Sequence, residues 1–241
     1  HYHYEYKGSN LKIIISDSGK LSNFKKLRKK ILKKNYNLKL KFLHFKTRQN
    51  HNEIKRDAYG KVKYQYVERL KKAIKFVNTE FVVLAADDDF YFPNYFNKSI
   101  NFLTNKKDFG SVYGHVLKFE LNNFVAFGKI NKIWISKENN PPNPWLEDKF
   151  YDKRLNNLGK NPWSWFAWYS VQRTTLLKTI LIDAQKNNID GYLFEKYVSF
   201  CVATLYRVKK LNILYSARQQ NPVQSESVEP FSYKRNKIQY K

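Results

Sequence analysis

Asp87, Asp88 and Asp89 stand side by side at the end of the apolar run Phe81-Val-Val-Leu-Ala-Ala86. Adjacent carboxylates repel one another unless a cation or a group of donors offsets their charge. A hard divalent ion with oxygen ligands, Mg²⁺ or Mn²⁺, is the simplest compensation. Phe81, Val82, Val83 and Leu84 are continuously apolar, aromatic or β-branched, and read as a strand buried on both faces. Open α/β sheets place their ligands at the ends of such strands. The plainer alternative is a solvated acidic turn capping a helix that starts near Pro93, although a cap uses a single carboxylate.

Other chemistries find less support. His1, His3, His44, His51 and His115 lack zinc-ligand spacing, and no Gly-x-Gly-x-x-Gly, phosphate-binding Walker loop or Gly-x-Ser-x-Gly elbow is present. One cysteine, Cys201, excludes an intramolecular disulfide and sits in the apolar segment Tyr197–Ala203, where it reads as a small buried hydrophobe in a reducing compartment. No apolar run reaches the roughly 18–20 residues of a membrane span. The net charge of +25 invites a nucleic-acid reading, but the 45 basic residues divide into 36 Lys and 9 Arg. Base and phosphate recognition favours the arginine fork. The cluster Lys25, Lys26, Arg28, Lys29, Lys30, Lys33 and Lys34 could instead hold the chain near anionic lipid headgroups. A solvated helix face is its alternative.

The elements that must position the aspartates follow from periodicity. Leu11–Ser16 reads as a strand. Leu21, Phe24, Leu27, Ile31 and Leu32 recur at helical spacing, and Asn37–Phe45 alternates as a second strand. A helix over Ala58–Val77 leads into the strand at Phe81, so the first 90 residues predict a parallel sheet with crossover helices. Beyond Pro93 the pattern predicts a helix over Asn94–Leu103, strands over Gly110–Phe119 and Val125–Ile135, and a long loop over Ser136–Asn161. Trp163, Trp165, Phe166, Trp168 and Tyr169 form either a core wedge or a stacking surface. Helices over Thr174–Lys186 and Tyr192–Lys209 and a strand over Leu211–Ser216 complete the expected order, with a loose tail from Pro222. The absence of methionine and the ragged start His1–Tyr6 suggest that an element precedes residue 1.

Ile13-Ile-Ile-Ser-Asp17, Tyr59-Gly-Lys-Val-Lys63 and Thr79-Glu-Phe-Val-Val-Leu-Ala-Ala-Asp-Asp-Asp-Phe90 together resemble a GT-A glycosyltransferase of the family-2-like bacterial group whose metal motif runs ADDDF. The resemblance covers about residues 10–120, and 160–220 more loosely. It implies an α/β fold over 1–241: a Rossmann-like mixed sheet flanked by helices, residues 10–120 binding the donor and a less regular half, 121–241, facing the acceptor. The strand with which this group begins is lacking. The implied reaction is metal-dependent transfer of a hexose, with inversion, from a nucleotide-diphosphate sugar (UDP above all) to a glycan or lipid-linked acceptor in bacterial surface polysaccharide synthesis.

By that resemblance Asp17 contacts the base, Asp87 and Asp89 hold Mn²⁺ or Mg²⁺, and Asp88 lies beside them at the nucleotide sugar. Lys61, Lys63 and Arg218 could meet the phosphates. The base that activates the acceptor hydroxyl would be Glu195 or Asp190, with Glu195 favoured, although many relatives carry Glu-Asp where this chain has Glu195-Lys196. Trp163, Trp165 and Trp168 would stack on acceptor sugars. The expected location is cytoplasmic, with the lysine cluster offering peripheral contact at the inner face of the membrane, and no nucleic-acid partner is expected. Two other functions stay open: a nucleotidyltransferase acting on a sugar phosphate, and a non-catalytic basic nucleic-acid-binding protein.

Overall fold

The computed structural model describes residues 12–17, 21–33, 39–45, 66–85, 89–121, 130–135, 146–160, 166–187, 189 and 192–219. Within them the chain is an α/β protein with a mixed sheet and packed helices. The β-branched run Ile13–Ile15 forms β1 (Lys12–Asp17), which pairs in parallel with β2 (Lys39–His44). Parallel neighbours need a crossover, and α1 (Leu21–Leu32) lies between them in sequence, burying Phe24 against Phe42 and His44. Next comes α2 (Tyr66–Ile74), which buries Val67 and Ile74 and precedes β3 (Phe81–Val82). Residues 58–65 of the expected helix lie outside the described residues.

Of the expected parallel sheet the β1–β2 pair forms, but β3 does not join it. Instead β3 is an edge strand of a separate six-stranded sheet of order β3-β7-β5-β8-β4, where β4 is Asp89–Tyr91, β5 Phe109–Leu121, β7 Val171–Arg173 and β8 Arg207–Gln219. The remaining strand, β6 (Ile130–Ile135), pairs with β5. The strand β3 runs antiparallel to β7, and β7 antiparallel to β5. An edge position leaves Phe81, Val82, Val83 and Leu84 only partly buried, not covered on both faces. Lys12 links the two sheets, its Nζ donating to the Phe76 carbonyl at 2.9 Å and to Asn78 Oδ1 at 3.3 Å.

The pair β5·β8 is the spine of the larger sheet. Gly114 permits it: a Cβ there would stand 2.3 Å from the Ile213 carbonyl oxygen. Helix α3 (Pro93–Asn105) begins with proline at its first turn, where the missing N–H costs nothing. Its last turn is closed by Arg173, which donates to the carbonyls of Leu103 at 2.8 Å, Lys106 at 3.2 Å and Phe109 at 3.0 Å.

Helix α4 (Tyr151–Gly159) stands inside the segment expected to be loop. Its buried face includes an arginine, which hides the apolar period. Arg154 is 4% exposed and donates to the carbonyls of Ala203, Thr204, Asp148 and Lys149. Ala203 and Thr204 belong to α7 (Tyr192–Leu205), so one side chain ties two helices. Helix α5 spans Phe166–Tyr169 and α6 Thr174–Lys186, with Leu177, Ile180, Leu181 and Ala184 in the core. Helix α7 ends at Leu205, before the expected Lys209, because the chain from Arg207 onward pairs with β5. The opposite face of the sheet holds a smaller cluster of Phe119, Leu121 and Ala217 with Phe90, Phe92 and Leu117.

Candidate functional site

The strands β3 and β4, seven residues apart in sequence, occupy opposite edges of the sheet, and Asp87 and Asp88 fall between them in sequence. Asp87 and Asp88 lie outside the described residues. Asp89 opens β4 instead of trailing a strand, directly opposite Arg218 on antiparallel β8. The guanidinium grips it with two bonds, Nε to Oδ1 at 2.8 Å and Nη2 to Oδ2 at 3.1 Å. The Asp89 side chain is 3% exposed and that of Arg218 26%. A planar fork matched to a carboxylate gives geometry as well as charge.

Directly paired residues on neighbouring strands share a face. Asp89 pairs with Arg218, Arg218 with Lys118 of β5, and Lys118 with Trp134 of β6. Trp134, Lys118, Arg218 and Asp89 therefore form a transverse row across four strands. Tyr169 of α5 covers the acidic end, its ring centroid 4.9 Å from the Arg218 guanidinium carbon. Two residues beyond Asp89, Tyr91 donates its hydroxyl to the Leu84 carbonyl at 3.0 Å. Two described residues near the aspartate run are thus held, Leu84 by Tyr91 and Asp89 by Arg218.

Burial works against the Arg218 charge, but the hydrogen bonds and charge of Asp89 reverse that and hold the guanidinium above its ordinary range. Tyr91 and Tyr215 are pushed above the usual phenol range by burial, and the negative charge of Asp89 raises both further.

The other expected site residues stand on separate elements. Asp17 is partly buried at the end of β1, and its carbonyl accepts from the Phe45 N–H at 2.9 Å. Glu195 is partly buried in the first turn of α7, next to Phe194. A chain of ring contacts leads from Arg218 through Tyr169 and Trp168 to Phe194. Trp168, expected to face an acceptor sugar, is 1% exposed with its ring edge on Phe194. It is a core side chain and leaves no ring face for stacking. Lys61, Lys63, Trp163, Trp165 and Asp190 lie outside the described residues.

Sequence reasoning missed Lys118, Tyr91 and Trp134. Only the strand register aligns them with Asp89, and no period within a single strand shows it.

A cleft of about 330 Å³ lies at the amino end of β3, away from the aspartates, lined by Val77–Glu80, Arg173–Thr175 and Lys178. Its charged groups already hold the fold: Lys178 Nζ donates to the Val77 carbonyl at 3.2 Å, and Arg173 pairs with Glu80 at 3.3 Å. The chemistry gathers at Asp89 instead.

A carboxylate offers about four lone-pair positions, of which Arg218 uses two, so Asp89 keeps acceptor capacity for a hard cation. Among the described residues no group of three or more His, Cys, Asp or Glu side chains forms a metal cage. A cation there would need Asp87 as well as Asp89, an all-oxygen donor set that fits Mg²⁺ or Mn²⁺. No protein-family model matches the chain, and no curated protein matches it.

Proposed function

We propose that the chain is a GT-A-type glycosyltransferase, moving a sugar from a nucleotide-diphosphate donor to a glycan or lipid-linked hydroxyl. The observation that carries this reading is Asp89, fixed at the sheet by Arg218, with Lys118 in register beyond it. An acid fixed beside basic side chains suits a ligand that is itself a cation bound to a diphosphate. Bound by Asp87 and Asp89, Mg²⁺ or Mn²⁺ would neutralise charge on the leaving nucleoside diphosphate.

The protein's own groups do the rest. Arg218 orients Asp89, with Lys118 in register beyond it. Asp17 would select the base by accepting an N–H. Glu195 would take the proton of the acceptor hydroxyl, with Asp190 as the alternative.

Calorimetric titration with UDP, with and without Mn²⁺, tests the proposal. The parent should bind UDP at least about tenfold more tightly with the metal, as expected when the cation bridges ligand and protein. Asp89→Asn, shown folded by circular dichroism, should lose that metal dependence. A parent indifferent to Mn²⁺, or an Asp89→Asn protein that keeps the full effect, sinks the reading.

A further inference from the structure

Helix α1 fully buries one residue, Phe24, and turns most of its remaining surface outward. On a period of 3.6 residues, Leu21, Lys25, Arg28 and Leu32 follow one another along a single strip. Lys26, Lys29 and Lys33 lie beside that strip on the solvent side, all exposed. Leu21 and Leu32, at the two ends, are 50% and 52% exposed. No acidic residue stands in the first turn of the helix.

Among the described residues this region is strongly basic. Across the described parts of β1, α1 and β2 there are nine Lys and Arg against one carboxylate, Asp17. The other described residues hold twenty-one against ten. Helix α1 itself carries no carboxylate.

The residue types on this face decide between anionic partners. Four of its five cations are lysines, compact charges suited to headgroup phosphates; base reading favours arginine forks and aromatic platforms. The described part of α1 holds no exposed aromatic ring, whereas two leucines project among the lysines. Cations with flanking apolar groups on one helix make an interfacial helix.

We propose that α1 docks the protein onto an anionic lipid surface, with its lysines against headgroup phosphates and Leu21 and Leu32 entering the acyl boundary. The attachment is peripheral: among the described residues no helix is long and apolar enough to cross a membrane. It does not depend on the chemistry at Asp89.

Vesicle flotation with the full chain tests this. The parent should float with phosphatidylcholine vesicles containing about 30% phosphatidylglycerol and stay behind with phosphatidylcholine alone. Lys25→Glu/Lys29→Glu/Lys33→Glu should weaken that partition at least about tenfold, since each well-placed Lys contributes several-fold. Lys98→Glu/Lys160→Glu/Lys186→Glu, the same charge change at exposed lysines elsewhere, should stay within about threefold of the parent. Leu21→Ser/Leu32→Ser, which leaves the charge intact, should bind at low salt but detach at about 0.5 M salt, where the parent partly remains. Equal loss in both charge-reversal variants, no preference for the anionic lipid, or tighter α1-dependent binding to a nucleic-acid duplex than to these vesicles would overturn the proposal.

Discussion

At the residue scale the decisive contact is between Asp89 and Arg218, distant in sequence and directly opposed on β4 and β8. Neither partner announces the other in the chain. A run of three aspartates shows that something positive is required, but not that a protein side chain supplies part of it. The asymmetry of exposure sets what each substitution does. Arg218→Gln leaves a carboxylate that is 3% exposed without its counter-charge, and should cost about 3 kcal/mol or more in chemical denaturation. Asp89→Asn leaves a guanidinium that is 26% exposed and partly reached by water, so its cost should be smaller, about 1–2 kcal/mol. The double variant should cost less than the two singles added, with a coupling of about 2 kcal/mol. Strict additivity would mean that the two groups do not act on each other in solution.

At the element scale, legibility followed whether one period dominated a segment. Helix α6 (Thr174–Lys186) has the bounds its pattern predicts, because Leu177, Ile180, Leu181 and Ala184 fill one face. Helix α4 was hidden because an arginine takes a buried place that apolar patterning would give to a leucine. The start of β8 was hidden because Val202–Val208 satisfies both helical and strand spacing, and pairing with β5 decides the matter. The short strands β4 and β7 carry too few residues to show a period. The parallel pairing of β1 with β2 was legible from the strand–helix–strand order, but the partners of β3 and of the later strands were not, since an apolar run reports burial and not its neighbour. The β5·β8 pairing makes its own prediction at Gly114. Gly114→Ala places a methyl 2.3 Å from the Ile213 carbonyl oxygen, a backbone atom that yields only if the strands move apart. The loss should be about 3 kcal/mol, at the upper end for overpacking. Gly159→Ala meets nothing within 4 Å and lies in helix α4, so it should stabilise by up to about 1 kcal/mol. Equal denaturation midpoints for the two variants would contradict the close approach of β5 and β8.

At the scale of the whole molecule, the core is unusually phenolic, and that sets how the fold responds to alkali. Of 18 tyrosines, Tyr91, Tyr95, Tyr113 and Tyr215 sit buried along α3, β4, β5 and β8. The Tyr95 hydroxyl donates to the Val112 carbonyl and accepts from the Val171 N–H at 3.0 Å, joining β5 to β7 from inside. Burial holds all four phenols above their usual range. In the unfolded chain each would ionise near pH 10, as free phenols do. Above that pH the folded state retains protons that the unfolded state has released, so stability falls as pH rises. The contribution is present in full below about pH 10 and is lost progressively above it. Phenolate absorbance and circular dichroism, followed together through an alkaline titration, should separate two populations. The accessible tyrosines should titrate first and reversibly, with the fold intact, and the buried ones only as the dichroism collapses. Complete ionisation near pH 10 with the dichroism unchanged would show that water already reaches these rings, and the burial of Tyr91 and Tyr215 near Asp89 would have to be abandoned with it.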